Sequence, residues 1–331
     1  GHEGGDRVGE VVFASAGVLD FATHPPLAER IRALDPSFST KEFGHMRHLL
    51  DAREANVVPA EPAVIAGLVG NPGPRHVQFA AGIHAAMPAA VRSAVANPEA
   101  AQALLLALAV GSRDRDERLA FVGQQLGAPV AGRVREYLAV TDALPLIQRL
   151  PAVLLLVGPL RQSSPAERQL LVAVLSGLIT RGGAPSVFSY ALRRSVLTFL
   201  RDGLATPREA RTLPLRATRD DLRVALSVVA RSGGDADAGA VRKAFDTGWQ
   251  QLALPPAVPI EAAVAWVGPL DRAVARLDRL APHDKERVVR ALTATIAHDQ
   301  RVNVAEAELL RLFCALLHCP LPPLLAGGGR A

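Results

Sequence analysis

His45 and His48 stand three residues apart in KEFGHMRHLLDARE. On a helix that spacing sets two imidazoles on one face, where they could meet a metal ion. No acidic partner or water-activating glutamate is obvious nearby, so a polar helix edge is the competing reading. CALLHCP brings together Cys314, His318 and Cys319, at a spacing that matches no common zinc knuckle. Leu309, Leu312, Phe313 and Leu316 recur around them at helical spacing and assign the stretch to a core helix. In AHDQRVNVAEAELL, Asp299 falls in a turn and Glu306 on the helix that follows; the pair could hold a cation or cap the turn. No H-E-x-x-H pair, G-x-S-x-G elbow or Walker loop occurs, so no catalytic residue is assigned. GGDADAG lacks the remaining ligands and the terminal glutamate of a calcium loop and reads as a turn.

The elements that must position these residues are helices. Of 331 residues, 49% are hydrophobic and only 4% aromatic. Alanine and leucine, both strong helix formers, carry the apolar content. Alternating runs of Val, Ile, Thr and Tyr are missing, so the expected class is all-α, a multi-helix array. The length allows two or more domains. The net charge of +5 rests on 34 arginines and three lysines. In SRDRDERLAF and RDDLRVAL the arginines are mixed with Asp and Glu, which reads as solvated helix faces rather than a nucleic-acid stripe. Two cysteines exclude a disulfide scaffold and fit a reducing compartment. The apolar run LPAVLLLVGPL spans about 16 Å as a helix, against about 30 Å of hydrocarbon. It is a core helix, and a soluble region is expected. Gly1 and His2 are set aside as a cloning remnant.

Helices are expected over 75–87, 98–110, 114–126, 130–140, 219–231 and 238–252, with GNPGPRH, ATPREARTLP and RSGGDADAG as loops. One pattern occurs twice. SPAERQLLVAVLSGLITRGGAPSVFSYALRR, from Ser164, aligns without gaps to APHDKERVVRALTATIAHDQRVNVAEAELLR, from Ala281. Pro165 falls on Pro282, Glu167 on Asp284, Ile179 on Ile296, Leu192 on Leu309 and Arg194 on Arg311. Each copy opens with a proline suited to an early helix position and an acid in the first turn. A second apolar helix follows, so the expectation is a helical hairpin used twice. Asp299 and Glu306 align with Gly182 and Ser189, so the first copy lacks both carboxylates.

FATHPPLAERIRALDP places a histidine before two prolines at the head of a short helix. Thr23 or His24 suits the N-cap and Pro25 or Pro26 the first helical position. Leu27, Ile31 and Leu34 then form the buried face. The positive end of the helix disfavours protonation of His24.

His24, Pro25, Pro26, Leu27, Glu29, Arg30 and Ile31 resemble the segment that closes the peptidase domain of HtpX-like membrane zinc metallopeptidases. The preceding GEVVFASAG is similar to the apolar segment before it. LPLIQRLPAVLLLVGPLRQSSPAERQLL and LLRLFCALLHCPLPPLL resemble passages of the helical extension carried by certain bacterial members, whose hairpins are TerB-like. The resemblance implies a peptidase tail over 1–38, a helical connecting region over 39–140, a TerB-like unit over 141–205, a helical linker over 206–280 and a second TerB-like unit over 281–326. It also implies that H-E-x-x-H, the third zinc ligand and the membrane spans precede residue 1. In the parent enzyme zinc would polarise the scissile carbonyl and activate water; no cofactor is assigned to this chain. His24, Pro25, Glu29 and Arg30 would then face the catalytic cleft, unless His24 only ties down the start of its helix. Asp299 and Glu306 would carry over the metal-associated acidic turn of TerB-like domains. The implied partners are the chain's own peptidase domain and protein substrates or adaptors, on the cytoplasmic side of an inner membrane. A free-standing helical binding module, metal-responsive through Asp299 and Glu306, is the alternative.

Overall fold

Proline sets many of the helix starts. In this computed structural model, residues 58–59, 67, 74–181, 185–201, 212–232, 237–261, 266–299, 301–302, 304–319 and 321 are described. Among them the fold is all-α, with thirteen α-helices. The first, α1, runs Pro74–Ala85. The described residues fall into two units, 80–201 and 212–321, the latter including 58–59, 67 and 74–79.

In the first unit the helices are α2 (Ala89–Ala94), α3 (Pro98–Val110), α4 (Arg115–Leu126), α5 (Ala128–Asp142), α6 (Leu146–Leu160), α7 (Pro165–Ile179) and α8 (Val187–Arg201). The centre is α3, against which α2, α4, α5, α6 and α7 all pack. Asn97 starts it: its side chain accepts from the amides of Glu99 and Ala100 at 2.8 and 3.3 Å, ahead of Pro98. Beyond that first turn, residues 103–110 are all buried, so α3 shows no amphipathic period and is a core helix. Each buried leucine there, Leu104, Leu105 and Leu106 among them, contributes about 1.5–3 kcal/mol by leaving water.

The apolar run expected as a helix over 150–160 begins earlier, at Leu146, and passes through both Pro151 and Pro159. An interior proline forfeits a hydrogen bond and disfavours a helix by about 3 kcal/mol. Burial of Leu150, Val153, Leu155, Leu156 and Val157 offsets that. At the start of α7, Ser164 accepts from the Glu167 amide at 3.3 Å, and the Glu167 carboxylate accepts from the Ser164 amide at 2.8 Å. This is a complete capping box with Pro165 at its first position. Ser164→Ala is expected to lower stability by about 1 kcal/mol in urea denaturation; a change within about 0.2 kcal/mol would deny the box its role.

The second unit holds a 3-10 turn (Leu215–Thr218), α9 (Arg219–Ala230), α10 (Ala238–Trp249), a 3-10 turn (Gln250–Leu252), α11 (Val267–Leu277), α12 (Pro282–Ile296) and α13 (Val304–Leu316). Here α9 packs against α10, α11 and α12, α10 against α12, and α12 against α13. Arg301–Val302 pairs antiparallel with Val58–Pro59, a two-residue ladder beside the helices.

The gapless sequence alignment meets the helix boundaries. α6 and α11 end at the aligned Leu160 and Leu277, α7 and α12 run between aligned residues at both ends, and α8 and α13 start at the aligned Val187 and Val304. The copies differ in their caps. Where Ser164 and Glu167 complete a box, Ala281 has no capping side chain. Asp284, at the Glu167 position, is buried and lies 3.4 Å from Arg287 instead.

Candidate functional site

His24, Pro25, Glu29, Arg30, His45 and His48 lie outside the described residues. Asp299 is exposed in the turn after α12, and Glu306 is buried in the first turn of α13. Among the described residues no group of three or more His, Cys, Asp and Glu side chains is placed to hold a metal ion.

Cys314, Phe313, Leu309, Leu312 and Leu316 are buried on α13. The helix ends in a Schellman turn. The Cys319 amide donates to the Cys314 carbonyl at 2.8 Å and the His318 amide to Ala315 at 3.1 Å, with His318 at φ 56°. That turn aims His318 at Asp278, whose Oδ1 lies 2.9 Å from Nδ1 and accepts from Lys285 Nζ at 2.7 Å. Lys285 also donates to the Leu317 carbonyl at 2.9 Å, so one acid joins the ends of α11, α12 and α13. In the other unit Arg161, aligned with Asp278, does related work alone: Nε and Nη2 both donate to the Phe199 carbonyl, at 2.9 and 2.7 Å.

Burial pushes the Asp278 pKa up, but the hydrogen bonds and charges of His318 and Lys285 outweigh it and leave the carboxyl below its ordinary value. A depressed folded pKa means stability that is complete above the ordinary carboxylate value, about 4, and is lost as pH falls through the lower folded one. Asp278→Asn is therefore expected to flatten the acid limb of a Tm-against-pH curve below about pH 4. An unchanged acid limb would remove Asp278 from the acid transition.

The most developed polar arrangement is one the sequence reading missed. Arg115 and Arg118 of SRDRDERLAF, and Arg219 and Arg223 of RDDLRVAL, read from the chain as solvated helix faces. All four also bind backbone carbonyls. Arg115 Nε donates to Gly111 at 3.0 Å. Arg118 bridges the carbonyls of Val110 and Arg181 at 3.1 and 2.8 Å, closing the ends of two helices. The planar guanidinium, with its five donors, satisfies carbonyls that a helix end leaves without partners.

On α9 this habit forms a row. Arg219, Arg223, Ser227 and Arg231 recur every fourth residue, one stripe along the helix. Residues 254–261, LPPAVPIE, lie over it without helical or strand structure. Arg219 Nη2 donates to the Pro256 carbonyl at 2.8 Å and Arg223 Nε to Val258 at 2.6 Å. Arg231 Nη2 donates to Ile260, whose amide donates to Ser227 Oγ at 3.0 Å. Trp249, stacked on Phe245 with ring centroids 5.3 Å apart, donates from Nε1 to the Pro255 carbonyl at 3.1 Å. Burial lowers the Arg231 pKa, yet an arginine stays charged at neutral pH. The signal was present as R-x-x-x-R-x-x-x-S-x-x-x-R followed by a proline-rich stretch, but nothing in that pattern says the partners are carbonyls.

Compared with protein-family models, curated proteins and solved structures, the chain gives no match.

Proposed function

We propose that the chain is the non-catalytic, all-helical region of a membrane-bound zinc endopeptidase, serving the peptidase as a site for substrates or partner proteins. The observation that carries this reading is the THPPLAERIRALDP segment, whose His24, Pro25, Glu29 and Arg30 resemble the close of the HtpX-like peptidase domain. Support comes from the paired helices α7–α8 and α12–α13, whose aligned prolines and matched boundaries suit the TerB-like extension of that family. In the family resembled, zinc hydrolysis rests on an H-E-x-x-H helix, and no such pair stands in this sequence. No step of the reaction is therefore assigned to its residues. The described residues include no helix long and apolar enough to cross a membrane.

The test is direct. The reading frame upstream of the Glu3 codon should encode an H-E-x-x-H helix between hydrophobic spans, and the purified chain should show no zinc-dependent cleavage of an unfolded protein. A start codon immediately before Glu3, or cleavage by the chain that a chelator abolishes, would overturn the reading.

A further inference from the structure

Four residues of helix rise about 6.0 Å, and two residues of extended chain rise about 6.2 Å as polyproline II or up to 6.8 Å as a strand. The row on α9 uses that coincidence. Stepping four residues along the helix, from Arg219 to Arg223 to Ser227, matches stepping two along the strap, from Pro256 to Val258 to Ile260. Arg231 closes the series on the Ile260 carbonyl. Every one of these contacts, and that of Trp249, is made to the strap's backbone. Pro255, Pro256 and Pro259 have no N–H, so carbonyls are the backbone handles they offer, and a row of arginines is a complementary reader. Of the strap's side chains, Val258 is 50% exposed and Pro255 and Pro256 are exposed too, while Leu254, Ala257, Pro259 and Ile260 are half-buried. The Arg219 and Arg223 bonds are also solvent-exposed, which places this segment at the easily opened end of local stability.

We propose that Arg219, Arg223, Ser227, Arg231 and Trp249 form a recognition face for an extended, proline-containing peptide, and that residues 254–261 are its built-in occupant, displaced when a partner segment binds. The face reads main chain rather than side chains, so it accepts related sequences provided they present carbonyls at two-residue spacing without helical structure. The strap competes at the high effective concentration of an intramolecular ligand, holding affinity down until it lifts. The inference goes beyond the proposed function and stands whether or not a peptidase precedes the chain.

The probe is a fluorescein-labelled peptide of sequence LALPPAVPIE, titrated by anisotropy onto the full chain. Three proteins are compared: wild type, the strap-loosened Pro255→Gly/Pro256→Gly variant, and that variant with Arg219→Ala/Arg223→Ala. Circular dichroism checks helicity, and exchange at the Ile260 amide reports strap opening. The expected result is saturable binding at least tenfold tighter to the loosened variant than to wild type, lost when the two arginines are removed. In wild type, excess unlabelled peptide should accelerate exchange at the Ile260 amide. Absence of saturable binding to both wild type and the loosened variant overturns the proposal, as does binding that survives loss of both arginines. A glycine-serine peptide of equal length that binds equally well also overturns it, because proline would then confer no preference.

Discussion

Gly248→Ala is expected to destabilise the second unit by about 2–3 kcal/mol, lowering its Tm by about 10 °C. Gly248 lies in the last turn of α10 where that helix crosses α12. A Cβ there would lie 1.9 Å from Thr295 Oγ1 and 2.6 Å from the Ala291 carbonyl oxygen. Thr295 cannot simply turn away, because its hydroxyl donates to that carbonyl at 2.9 Å inside the core. Either the helices separate, at the usual 1–3 kcal/mol for overpacking, or the buried hydroxyl loses its acceptor, at about 1–3 kcal/mol. The roughly 1 kcal/mol by which alanine is the better helix former recovers only part. Thr295→Ala in the Gly248→Ala background should recover some stability but not all, since the carbonyl of Ala291 stays where it is. Gly132→Ala is the control: a Cβ on that helical glycine meets nothing within 4 Å, so a neutral or slightly stabilising change is expected. Urea denaturation of the three variants decides it. Equal stability of Gly248→Ala and Gly132→Ala would mean that α10 and α12 do not cross this closely.

That crossing shows where sequence stops informing structure. Pro98, Pro165 and Pro282 announce helix starts because a missing N–H matters least there. The ends of α3 and α9 fell within one residue of those expected from apolar spacing. α6 was read too short because only the apolar run from Leu150 was taken as helix, whereas it begins at Leu146, and burial of its neighbours lets it pass through Pro151. Gly248 carries no visible sign of its role in a twelve-residue helix with an ordinary amphipathic pattern. The close approach it permits is a property of two helices together. The arginines fail for the same reason. A side chain bound for a backbone carbonyl has no complementary residue in the sequence to betray it, so Arg118 and Arg223 looked like charge on a surface. Carboxylate chemistry was easier to notice and less informative, since Asp299 and Glu306 stand out by type while the strap contacts are made to main chain.

Arg311→Met is expected to cost about 3–5 kcal/mol, because it strands a buried carboxylate. Arg311 Nη1 donates to Glu308 Oε1 at 2.7 Å, one helical turn back on α13, with side-chain exposures of 8% and 12%. The solvent that screens a surface pair is excluded here, so the cost lies in the unpaired charge rather than in the lost contact. Arg290 and Glu286 give the comparison. They too are bonded along one helix, at 2.5 Å, but with exposures of 56% and 58%, and Arg290→Met should change stability by less than about 0.5 kcal/mol. The first copy suggests how the buried pair can be removed: the position aligned with Glu308 is Ala191, itself buried, so the fold accepts an apolar side chain there. Glu308→Ala combined with Arg311→Met should therefore recover most of the stability that Arg311→Met loses, giving a large coupling in a double-mutant cycle. If the two changes instead add, the carboxylate of Glu308 is not what makes loss of Arg311 expensive, and the guanidinium acts through packing or another partner.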